Sequence, residues 1–175
     1  MKQSLMVATL LTLVTALAFG EFADSIASAD EHYEADRYED AIADLETAVS
    51  EADSGAEEAN AFWRLSRASL AIGDRQTDNG ADTDRILETY TEGEEYGRRA
   101  IDADPTNHLG YYWTAANVGK WGQTRGIVNS LIKAAPMRDL LAEAIERESE
   151  HADSYYVLGQ LYAQVPGFIS FGNTD

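Results

Sequence analysis

Apolar and small residues recur along the chain with helical spacing, and the pattern itself repeats. Phe62-Trp63-Arg64-Leu65-Ser66, Tyr111-Tyr112-Trp113-Thr114-Ala115 and Tyr155-Tyr156-Val157-Leu158-Gly159 run alike: two aromatics, two spacers, a small residue. Repeats of a few tens of residues signal stacked supersecondary units rather than one closed domain. Strand-type alternation of Val, Ile and Thr is missing. Helix pairs are expected instead. The first runs from about Ala23 to Ala52. The second starts near Ala59, turns at Gly73-Asp74, inserts a polar loop over Arg75 to Asp84, and resumes at Arg85 as far as Ala103. The third starts at His108 and has an enlarged turn containing Gly119, Gly122 and Gly126, ending around Ala135. Pro136 then starts a helix through Arg147. Pro105, Pro136 and Pro166 are all expected at helix edges. A fourth unit starts at Ala152 and lacks a full second helix. Phe168-Ile169-Ser170-Phe171-Gly172 is too apolar for a capping surface, so the sequence reads as truncated.

The first residues follow another rule. Lys2 precedes an uncharged apolar run from Leu5 to Phe19, and both Ala16-Leu17-Ala18 and Ala18-Phe19-Gly20 suit a small-x-small cleavage site. That is the pattern of a secretory signal peptide, and the run is shorter than the ~20 apolar residues of a membrane span. The expected organisation is a signal peptide over 1–20 and a helical-repeat domain over 21–175. Its units lie at about 23–55, 59–105, 108–149 and 152–175, the last incomplete. The mature chain is expected to be exported, periplasmic or secreted, with no stable membrane insertion.

Arg37 to Val49 resembles the second helix of a tetratricopeptide repeat. Ala29, Ala41 and Ala48 hold its small places, and Tyr38 and Leu45 its large ones. Only short side chains let paired helices approach to ~8 Å. Ala100, Ile101, Asp104 and Pro105 match the family's closing residues, and Tyr155, Leu158, Gly159 and Tyr162 its strong first-helix places. The resemblance implies an all-α, right-handed superhelical array of antiparallel helix pairs, with Ala41 and Gly159 at tight crossings. More locally, Tyr111 to Gly122 and Leu158 to Gly167 resemble two groups of helical-repeat proteins. One is the regulator of microtubule dynamics family and its bacterial relatives, from which only the fold would carry over. The other is the T-component of tripartite ATP-independent periplasmic (TRAP) transporters. Many T-components are lipoproteins, and this chain has no cysteine.

Charge changes the picture of partners. The chain holds 31 acidic and 13 basic residues, a net charge of -18. Nucleic acid and anionic membrane surfaces are therefore excluded as partners. The only lysines are Lys2, Lys120 and Lys133. Acid without lysine suits work in high salt, where self-repulsion is screened, and suits an ordinary acidic protein equally.

Catalytic chemistry finds no foothold. His32, His108 and His151 are far apart in sequence, without metal-ligand spacing, and read as surface or helix-end residues. Asp74, Asp78, Asn79, Asp82 and Asp84 surround Gly80, but Arg75, Thr77 and Ile86 fall on places that a calcium loop reserves for oxygen ligands. Gly119, Gly122 and Gly126 do not form a phosphate cradle, and instead allow close helix contact or a loop. No serine sits in a nucleophile elbow. No cofactor or metal is expected, and no enzyme.

The aromatic stripe remains. Trp63, Tyr112 and Tyr156 fall one place after the large core position, and Arg67, Ala116 and Gln160 one turn later. In tetratricopeptide arrays that place faces the concave groove, so the resemblance implies a groove lined by these six residues. The same spacing also suits core filler between repeats. The expected function is exported binding or scaffolding of a protein or peptide in that groove. The alternative is a transporter-associated component holding a small organic ligand.

Overall fold

The computed structural model of the chain describes residues 21–164, so the expected signal segment and the apolar C-terminal stretch lie outside it. The described residues form helices and no strand. In order they are α1 (21–34), α2 (Tyr38–Glu51), α3 (Gly55–Asp78), α4 (Thr83–Ala103), α5 (His108–Arg125), α6 (Ile127–Arg147) and α7 (Ala152–Gln164). Short connections make neighbours antiparallel, so α1/α2, α3/α4 and α5/α6 are hairpins stacked in an all-α array, with α7 packed on α6.

Local chemistry sets most boundaries. Ser54 caps α3 by accepting from the Glu57 N–H, while the Glu57 carboxylate accepts from the Asp53 N–H. Asp82 and Asn107 cap α4 and α5 by accepting from the N–H groups of Asp84 and Leu109, two residues on. The α3–α4 turn passes through Gly80 at φ 67°, and α5 meets α6 at Gly126, at φ 101°. Both values lie in the left-handed region that favours glycine.

Three expectations about these turns are corrected. Arg75 to Asp78 is helix rather than loop, and Gly73-Asp74 lies inside α3. The polar residues there serve tertiary contacts: Arg75 pairs with Glu39, and Thr77 bonds back to the Gly73 carbonyl at 2.8 Å. The glycine-rich third turn is also helix. A Cβ on Gly119 would sit 3.0 Å from the Met137 side chain, and one on Gly122 3.1 Å from the Ser130 backbone. These glycines let α5 and α6 approach closely. Finally, Pro136 lies within α6 instead of starting it. Proline leaves the carbonyl four residues back without its helical donor. That residue is Ile132, which is itself exposed.

The main core joins the first two hairpins. Phe22 and Ile26 of α1, Leu45 and Ala48 of α2, Phe62 and Leu65 of α3 and Ala100 of α4 pack together. Tyr90, Val118, Leu141 and Ala144 are buried farther along the array. Helices α3, α4 and α5 meet at a buried polar crossing. Ser66 donates to the Gly93 carbonyl at 2.7 Å, and Asn117 donates to the Ser66 carbonyl at 3.0 Å. Gly93 and Gly97 face Asn117 and Thr114 there, with no room for a Cβ. Among the described residues, no helix is long and apolar enough to cross a membrane.

Candidate functional site

The first helices of successive hairpins, α1, α3, α5 and α7, meet along three seams. Each seam is closed by different chemistry.

At the α1/α3 seam, Asp30 takes two of the three guanidinium groups of α3. Arg64 Nε and Nη2 donate to it at 3.0 and 2.9 Å, and Arg67 Nη2 at 2.8 Å. Burial pushes the Asp30 carboxyl up, but the hydrogen bonds and charges of Arg64 and Arg67 outweigh it and hold the group below its ordinary 3.8. Arg67 also lies 3.9 Å over the Tyr33 ring, and Arg64 4.1 Å over Trp63.

At the α3/α5 seam, Asn117 binds Ser66, and Lys120 Nζ lies 2.8 Å from Asp74 Oδ1. The Tyr90 hydroxyl donates to the same carboxylate at 2.7 Å. Burial, with Asp74 beside it, pushes the Tyr90 phenol far above its ordinary range. A polar hollow of about 320 Å³ lies here, with Asp74, Thr77 and Lys120 on its wall.

The α5/α7 seam closes only at its first end. The His108 and His151 rings meet at 4.8 Å, and Tyr112 stacks edge-on against His151 at 4.9 Å. His151 Nδ1 is 2.7 Å from the Ser154 hydroxyl. Burial and the neighbouring His151 push the His108 imidazole below its ordinary 6.5, against a smaller opposite pull from Glu148. Toward the far ends of α5 and α7 the seam opens into a cleft of about 350 Å³. Gln123 of α5, Lys133 and Met137 of α6, and Gln160, Leu161 and Gln164 of α7 line it. Lys133 is already engaged, 3.5 Å from Glu94 and 5.0 Å over Trp121.

The six residues marked in the sequence are thus scattered in environment. Trp63 is 9% exposed and belongs to the core cluster, and Arg67 is tied to Asp30 and Tyr33. Tyr112 is half-buried against Trp113 and His151. Ala116 is partly buried on α5. Tyr156 is 67% exposed, and Gln160 is exposed at the cleft. The rings of Trp63, Tyr112 and Tyr156 do not stack on one another. Two features escaped the sequence reading. One is the joining of His108 to His151, which stand far apart in the chain. The other is the cleft, which needs three helices to form. A sequence signal did exist for the first: each histidine stands just ahead of a Tyr-Tyr pair. Among the described residues, no group of three or more His, Cys, Asp or Glu is arranged to hold a metal ion.

Comparison with known proteins gives the family. The family model described as regulator of microtubule dynamics protein 1-3 matches residues 25–167. The chain is 26% identical over 115 residues to regulator of microtubule dynamics protein 1 of Pongo abelii, covering 64% of this chain and 36% of that protein. It is 27% identical over 103 residues to the protein of the same name from Bos taurus, covering 59% and 32%. The matched part therefore spans about a third of the length of these relatives. The family match reaches from α1 through α7, and the chain belongs to the regulator of microtubule dynamics protein 1-3 family.

Proposed function

We propose that this chain is a non-catalytic binding module, built on a tetratricopeptide-like plan, whose partner is a protein or peptide. The observation that carries the reading is the state of the last seam. Tyr155 and Tyr156 are exposed on α7, the helix whose Val157, Gln160, Leu161 and Gln164 wall the cleft, whereas the corresponding aromatics of α3 and α5 are buried (Phe62, Trp63, Tyr111) or half-buried (Tyr112). Exposed tyrosines beside a concave surface suit protein contact, because they bring area and a hydroxyl at small entropic cost. The groove is then carried by Tyr112, Ala116, Tyr156 and Gln160, while Trp63 and Arg67 close the α1/α3 seam. The Lys2 to Gly20 segment supports export as part of the same reading. The microtubule activity in the relatives' names is not carried over, since the match covers only 36% and 32% of those proteins.

A photo-crosslinking residue placed at Tyr156 should capture a discrete protein partner in the native host. The same residue at exposed Glu95 on α4 should not. Equal capture at both places, or none at either, would reject the module. Export is tested separately by N-terminal sequencing: the mature chain should begin between Phe19 and Phe22, and retention of Met1 would reject it. The alternative, a transporter-associated component for a small ligand, is favoured by the cleft volume and by resemblance to the T-component group. Capture of a transporter membrane subunit at Tyr156 would select it.

A further inference from the structure

The helix register explains why only one seam is open. Asp74 and Gln123 stand equally far along the chain from Phe62 and Tyr111, and Lys120 and Gln164 equally far from Tyr111 and Tyr155. The charge pair that closes α3/α5 is therefore replaced at α5/α7 by two neutral amides. The other lock changes in step. Ser66 and Asn117 at α3/α5 correspond to Ala115 and Leu161 at α5/α7, so the buried polar bond has no counterpart. Just ahead of α7, His151 meets His108 and Tyr112 of α5, and farther along the two helices border the cleft. Both seam locks are lost together where the cleft appears.

We propose that this cleft binds a peptide segment with a large apolar anchor side chain flanked by basic residues. The inference rests on the binding-module reading and names its site. Leu161 and Met137 offer an apolar wall, and about 350 Å³ lies within the ~300–1,000 Å³ of ligand pockets. Gln123, Gln160 and Gln164 make no side-chain hydrogen bond among the described residues, and each amide offers donors and an acceptor to a peptide backbone. Among the described residues of the wall the one cation, Lys133, is satisfied by Glu94 and does not call for an anionic ligand. A net charge of -18 draws basic flanks toward the surface and repels acidic ones.

The test restores the lock. Gln123→Asp/Gln164→Lys rebuilds across α5/α7 the charge pair of α3/α5, and the reversed pair Gln123→Lys/Gln164→Asp should act alike. Both positions are exposed, so the variants should fold, as melting would check. A random peptide library displayed on phage is selected on the wild-type chain, and the selected peptides are measured against wild type and variants. Peptides with an apolar anchor and basic flanks, bound about tenfold more weakly by both variants, are expected. Peptides bound equally by all three chains would place recognition elsewhere, overturning the cleft while leaving the binding module intact. No selected peptide, with no partner captured at Tyr156, would overturn both. Dimerisation of the wild-type chain that the variants lose, without selected peptides, would give the cleft to a second copy. Nuclear Overhauser contacts from Leu161 to residues after Gln164 would give it to the chain's own end. Either finding would overturn the peptide.

Discussion

Asn117 donates its side-chain amide to both the backbone carbonyl and the hydroxyl of Ser66, at 3.0 and 3.1 Å, joining two helices across 51 residues of chain. Its own oxygen has no conventional donor and lies against Gly93. Asn117→Ala should lower stability by about 2–4 kcal/mol, from the lost buried hydrogen bonds to Ser66 and a cavity at a crossing of three helices. Gly93→Ala should cost about 1–3 kcal/mol, because its methyl would overlap the Asn117 amide. Urea unfolding of both variants checks this. A loss below about 0.5 kcal/mol for both would mean the crossing is looser than described.

Gly159 and Ala41 separate in the same experiment. The resemblance places both at tight crossings, yet a Cβ on Gly159 meets nothing within 4 Å, while Ala41 is 1% exposed. Gly159→Ala should therefore be neutral or stabilising by up to ~1 kcal/mol, through helix propensity. Ala41→Leu should overpack α2 by about 1–3 kcal/mol.

His108 gives a pH dependence. Its folded value lies below 6.5, chiefly because burial disfavours the imidazolium. The unfolded chain then binds more protons over that interval. The contribution of His108 to stability is present above about pH 6.5 and is lost as pH falls through the folded value. Melting of the wild-type chain should lose this increment below pH 6.5, and His108→Phe should not. The difference between the two curves is the readout, since carboxylates titrate equally in both.

Salt acts on the whole array. Thirty-one acidic residues face thirteen basic ones, and the Debye length falls from ~30 Å at 0.01 M salt to ~3 Å at 1 M. The melting temperature should rise steadily with NaCl over that interval. At fixed low salt it should also rise as pH is lowered toward 5 in a His108→Phe background, as carboxylates take up protons. A flat salt profile would show that the acidic residues are dispersed harmlessly, and would remove the high-salt reading.

Much of this architecture was legible in the residues. The Phe62, Tyr111 and Tyr155 repeat marks the first helix of successive units, and it fixes the register in which Asp74 answers to Gln123. Local punctuation misled where tertiary contacts overrode it. Gly119 and Gly122 suit a loop or a close helix contact by composition, and it is the close packing against Met137 and Ser130 that they serve. Pro136 reads as a helix start, yet α6 runs through it, with the exposed Ile132 one turn back. The polar run from Arg75 reads as a loop because its ion partner, Glu39, lies on the preceding helix, 36 residues back. The cleft was not legible, because it arises from the absence of two contacts and not from the presence of a motif.

The single-residue joint at Gly126 has a bearing on how such a chain can change. Adding or removing one residue there would turn α6 by about 100° about its axis, and the faces carrying Leu141 and Ala144 would point away from their seats. Since α7 is mounted on α6, any unit following it would be re-aimed as well. Length variation in this array should therefore collect at Gly80, whose connection is longer, while the Gly126 joint keeps its length and with it the direction in which the array grows.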